Sequence, residues 1–488
     1  MIEDAFLTGI QKSLPFELTE AQREAVRRMC SFIFNPKPYS AYILRGYAGT
    51  GKTTVSSAII KMLYKLKREV VLLAPTGRAA KVLSLHSGHP AFTIHKEIYR
   101  QKQVGDLEAS FDLDINRHKN AVFFVDEASM IANDNSGLSP FGSGRILDDL
   151  ITYVYGSPGC SLVFIGDNAQ LPPVSEEESP ALSIGRLKLL GVEATGFQLA
   201  AVMRQAAGSG ILSNATSIRR SLTANDTTVP PTVNFSGFDD IRNIHGGEVI
   251  DCLEADYDCY GTEEVVIITR SNKQAVRYNL GIRNIIFGRE ESLTTGDAVM
   301  IVRNNYYWTE KYAADNTQNG SENALPINFL ANGDIAIVTH INQHIELYGL
   351  HFADVSLQFS DYGNFEMDVR VLLDTLTSES PALTKEQSDK LYYGVMEDYA
   401  DIKNKKERIK KMRLDPNLNA VQIKYAYAVT CHKAQGGQWM NVFLDIGYIT
   451  EEMLGEDFYR WLYTAFTRAT HRLYLVNLPE EFEEYASS

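Results

Sequence analysis

The segment GYAGTGKTT (Gly46–Thr54) decides how the rest of the chain is read. From Gly46 to Thr53 it fits G-x-x-x-x-G-K-[ST], follows the apolar run Ala41–Leu44, and opens a helix whose apolar positions Val55, Ile59, Met62, Leu63 and Leu66 share one face. Strand, glycine turn and amphipathic helix in that order make a phosphate cradle. Glycines let backbone N–H groups wrap an anion at a helix N-terminus, Lys52 reaches the β/γ oxygens, and Thr53 can hold Mg²⁺. Gly46, Ala48, Gly49, Thr50, Gly51, Lys52, Thr53 and Thr54 are therefore the expected ATP-binding residues.

Three more apolar runs, Val70–Leu73, Ala121–Val125 and Ser161–Ile165, end in polar turns as buried parallel strands do. On such βαβ sheets ligands bind where the carboxyl ends of strands meet the loops. AVFFVDEASM places Asp126 there to hold Mg²⁺ through water, with Glu127 beside it to activate an attacking water. SLVFIGDNAQLPPV places Gln170 where it could sense a γ-phosphate. Hydrolysis also needs positive charge beyond Lys52 and the metal, and Arg204 in AAVMRQ and Arg468 in LYTAFTRAT are the candidates.

From about Gly296 to Asp374 the pattern changes to period-two runs such as DIAIVTHI and DVRVLL, which predict a small antiparallel sheet or barrel inserted in a second α/β domain. EVVIITRSN before it, and KYAYAVTCHKAQG, NVFLDIG and HRLYLVNL after it, supply that domain's strands. Thr384 and Gln387 have the spacing of a capping box for a helix through Leu391, Tyr392, Val395 and Tyr399. It runs into KNKKERIKKMR, where seven basic residues face two acidic ones between Asp401 and Arg413. A solvated helix end and a phosphate-contacting one fit that run equally.

The 488 residues suggest about three domains, and 44% hydrophobic with 22% charged residues excludes wholesale disorder. No apolar stretch has the length of a membrane span and MIEDAFLTGI lacks the basic start of a signal peptide, so a cytoplasmic, nucleoid-associated protein is expected. Five cysteines without a C-x-x-C pair read as buried reduced thiols. A formal charge of −14 argues against a protein coated with base and leaves room for a local basic groove.

Taken in order, LTEAQ, the P-loop, LAPTGRAAK, TIHK, VDEASM, GDNAQLPPV, VMRQ, TCHKAQG and LYTAFTRA resemble superfamily 1 DNA helicases of the RecD-like, Dda and Pif group over nearly the whole chain. The resemblance implies an α/β fold of two RecA-like parallel-sheet cores, with a small hairpin insertion in the first and an SH3-like antiparallel β insertion in the second. The first core would take residues 1–95 and 121–200, the hairpin 96–120, the second core 201–295 and 415–488, and the SH3-like module with its basic helix 296–414.

By the same resemblance Gln22 reads the adenine, Arg204 and Arg468 act as arginine fingers, and Pro75, Thr76, Arg78, His95, Thr430, His432 and Lys433 contact the strand. It implies an ATP- and Mg²⁺-dependent enzyme, monomeric, moving five-prime to three-prime on single-stranded DNA and opening forked duplexes, with replication, repair or recombination proteins as further partners. A RecD-like motor subunit of a nuclease complex and a nucleotide-switched single-strand-binding protein are the rivals. Against the first, neither a long N-terminal docking domain nor a nuclease centre is expected from this sequence; against the second, Glu127 and two arginines serve fast hydrolysis. The hairpin is expected around a Gly105–Asp106 turn, with Phe111, Leu113 and Ile115 alternating along its return strand.

Overall fold

The apolar runs around the P-loop become neighbours in one sheet. In the computed structural model, which describes residues 2–101, 111–133, 142–174, 176–201, 208–318, 326–327 and 329–483, the chain begins with β1 (Ser40–Gly46), β2 (Val70–Ala74) and β3 (Phe92–Thr93). β4 (Tyr99–Gln101) and β5 (Phe111–Leu113) follow as a separate antiparallel pair, and then come β6 (Val122–Val125), β7 (Ser161–Gly166) and β8 (Glu193–Leu199). The six long-range strands order as β3-β2-β6-β7-β1-β8, all parallel. Every residue of β2, β6 and β7 is buried, because helices cover both faces of a parallel sheet. The loops after β6, β7 and β1 therefore meet at one edge of three adjacent strands, carrying Asp126, Asp167 and the P-loop.

The second core is a five-stranded parallel sheet. It is built from β9 (Ile241–Ile244), β10 (Val265–Thr269) and, after the insertion, β16 (Ala428–Thr430), β17 (Trp439–Asp445) and β18 (Ala469–Val476), in the order β16-β10-β17-β18-β9. Between them β11 (Ala298–Ile301), β12 (Ile335–Leu347), β13 (Leu350–Phe359), β14 (Phe365–Leu372) and β15 (Val421–Tyr425) close a barrel. Among the described residues, no helix is long and apolar enough to cross a membrane.

Several expectations change. The inserted module is mixed and not purely antiparallel, since β14 pairs β15 in parallel to close the barrel. KYAYAVT is not one strand of the second core: Val421–Tyr425 belongs to the barrel and Ala428–Thr430 to the core sheet, so the boundary expected at 415 falls after Tyr425. Apolar patterning cannot reveal this, because both strands are buried.

The helix starting at Thr384 has its capping box but stops at Asp398, and Asn404 starts a second helix, Lys405–Arg413, by accepting bonds from the Lys406 and Glu407 N–H groups. Likewise the return strand β5 ends at Leu113, leaving Ile115 exposed. Cys30, Cys160 and Cys431 are buried, Cys252 is half-buried and Cys259 is exposed. The Gly105–Asp106 turn, Arg204 and positions 134–141 lie outside the described residues.

Candidate functional site

The P-loop takes its shape from its glycines. Gly49 and Gly51 have φ of 72° and 82°, and a Cβ on Gly46 would sit 2.6 Å from Lys52 Cγ. Gln22 is 1% exposed, and its Nε2 donates to the Thr50 carbonyl at 3.1 Å while its Oε1 accepts from the Thr19 N–H at 3.0 Å. In this conformation that amide braces the P-loop through Thr50. Thr50 Oγ1 donates to the Tyr47 carbonyl at 2.7 Å, and Lys52 Nζ donates to the same carbonyl at 3.1 Å. Thr53 and Thr54 stand partly exposed in the first turn of the helix Lys52–Lys65.

The acids follow from the sheet order. Asp126 and Glu127 stand after β6, where Glu127 adopts a left-handed φ of 49° and its N–H donates to Asp126 Oδ1 at 2.9 Å. A non-glycine residue held there costs energy of order 1–3 kcal/mol and is characteristic of functional loops. Burial, and then the neighbouring Glu127 charge, push the Asp126 carboxyl up, while Lys52 and the Glu127 N–H oppose the rise. A divalent cation relieves such a desolvated acid, so the donor set of Thr53 hydroxyl and Asp126 fits Mg²⁺. Gln170 Oε1 is buried and finds no hydrogen-bond partner among the described residues, as expected of a group awaiting a ligand.

Sequence reading missed Asp167, Tyr463 and Arg460. Asp167 is fully buried after β7, with Oδ2 3.7 Å from Lys52 Nζ. From the second core's helix Glu456–Phe466, the Tyr463 hydroxyl donates to Asp167 Oδ2 at 2.7 Å and accepts the Ala48 N–H at 2.8 Å. Thr464 Oγ1 accepts the Leu171 N–H at 2.8 Å, Gln435 Nε2 donates to the Leu171 carbonyl at 2.8 Å, and Arg460 Nη1 reaches the Gln170 carbonyl at 3.4 Å. Arg219 lies 4.1 Å over the Tyr47 ring. The signal for Asp167 was its place at the end of a third buried strand; nothing local marks the others.

Arg468 is 2% exposed, and its guanidinium donates to the Thr464 and Gly437 carbonyls and to Thr467 Oγ1 at 3.0, 3.1 and 3.0 Å. In this conformation it braces the second core and does not point at the P-loop.

The predicted strand-contacting residues converge at the N-terminus of the helix Gly77–Ser87. Pro75 follows β2 half-exposed, Thr76 caps the helix, and Arg78 lies 4.0 Å over the Trp439 ring and donates to the Gln438 carbonyl at 2.8 Å. A Cβ on Gly436 would come 3.1 Å from Thr76 Oγ1. The barrel joins them: Tyr362 and Asp334 abut Gly77, and Lys81 pairs with Asp361 at 2.9 Å. Thr430 starts the turn Cys431–Ala434, His432 is exposed, and Lys433, whose ammonium burial pushes down to about 8, donates to Asn332 of the barrel.

His95 stands apart, between Tyr99 and Phe329, where desolvation holds its imidazole near 4. It is neutral there, so it can position but not attract a phosphate. A cleft of about 210 Å³ runs beside it, lined by Lys81, Phe92, Lys96, Phe329 and Tyr362.

Residues 17–228 match the AAA domain and residues 425–476 the UvrD-like helicase C-terminal domain, so the two patterns fall on the two sheets that flank the P-loop cleft. By these two matches and the relatives below, the chain is similar to helicases of the RecD-like, Dda and Pif group of superfamily 1. Of that group's relatives, the ATP-dependent DNA helicase dda of Enterobacteria phage T4 is 31% identical over 34% of this chain and 35% of its own length. The ATP-dependent RecD2 DNA helicase of Deinococcus radiodurans is 32% identical over 36% of this chain and 21% of its own. The matched stretches thus span about a third and a fifth of these two proteins. A solved structure of Pif1 helicase from Bacteroides, in complex with ADP-AlF3 and ssDNA, aligns over 96% of this chain and 95% of its own, with 14% identity and a TM-score of 0.47.

Proposed function

We propose that this chain is an ATP-driven helicase that moves five-prime to three-prime along single-stranded DNA and opens forked duplexes, acting as a monomer. The observation that carries the reading is the Tyr463 hydroxyl, which joins the Ala48 N–H of the P-loop to Asp167 beside Lys52. The second core thereby touches the groups that would grip a nucleotide. ATP entering the loop takes Lys52 from the Tyr47 carbonyl and competes with Tyr463 for the Ala48 N–H. Mg²⁺ held by Thr53 and, through water, Asp126 would neutralise charge on the phosphates. Glu127 orients and deprotonates the attacking water, and Gln170 senses the γ-phosphate by donating its amide N–H to it, which leaves its unpartnered Oε1 to accept from that water.

Changes at that contact move the helix Glu456–Phe466 against the first core. Arg78 and Trp439 bridge the two cores, while Lys433 and Asn332 tie the second core to its barrel, so the same movement alternates the hold of Arg78 on a strand. Affinity for that strand comes from backbone phosphates and aromatic stacking and falls with salt. The names of the phage and Deinococcus relatives support DNA as the track. Hydrolysis of ATP by the purified chain, measured with and without single-stranded DNA, tests the proposal: strong stimulation is expected, and a rate indifferent to DNA contradicts it.

A further inference from the structure

The helix Lys405–Arg413 is not part of the nucleotide site or of the strand motifs, yet it carries a dense basic run in a chain whose net charge is −14. Lys403, Lys405, Lys406, Lys410 and Lys411 are all exposed, and among the described residues none of them forms an ion pair. Two flanking acids are engaged elsewhere: Asp398 accepts from the Tyr348 hydroxyl, and Asp415 from the Tyr399 hydroxyl at 3.1 Å. Only Asp401 and Glu407 stand against the lysines.

Part of the arrangement is unfavourable for the helix, although Glu407 in its first turn and Lys410, Lys411 and Arg413 in its last suit the dipole. Lys405 and Lys406 lie in its first turn, against the helix dipole, and Lys406 and Lys410 repel at i,i+4. A polyanion relieves both. The helix is anchored to the barrel through Met412, buried in one cluster with Leu350, Phe352, Leu372, Leu391 and Val395.

Position on the barrel selects the polyanion. β13 starts at Leu350, packed against this helix, and ends at Phe359, next to the Ser360–Tyr362 turn that touches Lys81 and Gly77 of the first core. Ten residues of strand separate the two ends by about 30 Å, some nine base pairs of duplex. Residues 403–414 also contain no aromatic side chain on which a single strand could stack. We infer that this helix is a second DNA-binding surface, which holds the phosphate backbone of the duplex arm of a fork while the cores hold the single strand. The inference rests on the helicase reading above.

The test replaces Lys403, Lys405, Lys406, Lys410 and Lys411 together by Gln in the full chain. Binding to a five-prime-tailed fork and to the matching single-stranded tail is measured between about 50 and 200 mM salt, where each lost phosphate contact removes about 0.9 from the log–log slope. The variant should lose about 3 in slope, and on the order of tenfold or more in affinity, on the fork alone. Its affinity for the tail and its single-strand-stimulated hydrolysis should match the parent. Equal losses on fork and tail would assign the lysines to the single-strand groove and overturn the inference. An unchanged fork slope would also overturn it and leave an acidic protein as the occupant. A fork-specific loss in a chain without DNA-stimulated hydrolysis would support the surface while sinking the helicase reading.

Discussion

Tyr463 and Ala48, 415 residues apart in sequence, meet through a 2.8 Å hydrogen bond in which the P-loop N–H donates to the tyrosine hydroxyl. The same hydroxyl donates to Asp167, and burial, with that carboxylate's charge after it, pushes the phenol well above its ordinary range. Tyr463→Phe keeps the ring buried and removes only the link. Turnover with single-stranded DNA should fall about tenfold, the scale of one hydrogen bond to a charged group. Parental turnover would show that the contact couples nothing.

Glu127→Gln should bind nucleotide as the parent does and lose hydrolysis by roughly a hundredfold to ten-thousandfold, the range for a general base. Lys52→Ala should weaken binding itself. Equilibrium titration with a fluorescent nucleotide, beside steady-state hydrolysis, separates the two. Normal turnover in Glu127→Gln would move the base elsewhere.

Arg468 makes its three hydrogen bonds within its own core. Arg468→Ala leaves buried acceptors unmet, so denaturant unfolding should show a loss of about 2–4 kcal/mol. Undiminished stability with turnover cut on the order of a thousandfold would instead restore the arginine-finger role, which then requires the side chain to leave this cage when the cleft closes.

His95 sets a pH dependence. Its folded value, about 4, lies below the ordinary 6.5, so between these values the unfolded chain binds a proton that the folded chain refuses. Its contribution is present above pH 6.5 and is lost as pH falls towards 4. The loss should be on the order of 2 kcal/mol, after allowance for the partly exposed ring. His95→Gln should flatten that part of the stability–pH curve. An unchanged curve would mean that the imidazole is solvated.

The hairpin root meets the barrel where Phe111 lies 4.4 Å from Tyr306, which in turn lies 4.9 Å from Phe329. If the insertion splits the fork, it must be held against recoil. Phe111→Ala should therefore reduce strand separation several-fold while leaving single-strand-stimulated hydrolysis intact. Equal loss of both would mean that the contact serves the core instead.

Much of the first core was legible because its information is local. A buried strand, a glycine turn and an amphipathic helix identify the P-loop, and five apolar residues before Asp126 place it at a strand end. What failed to show was whatever depends on distant packing. Gln22 looks like a free amide until its bonds to Thr19 and Thr50 are seen, and Arg468 looks available until the helix it follows is folded around it. The split of KYAYAVT between barrel and core leaves no trace in hydropathy, since both halves are buried. Tyr463 carries no motif chemistry of its own; only the approach of two cores gives its hydroxyl two partners.

The central claim is that closure of this cleft drives directional strand separation. Its most direct test offers the purified chain, with ATP and Mg²⁺, two duplexes that differ only in whether the single-stranded tail is five-prime or three-prime. The account predicts opening of the five-prime-tailed duplex and none of the other; equal or preferred opening of the three-prime-tailed duplex would contradict it.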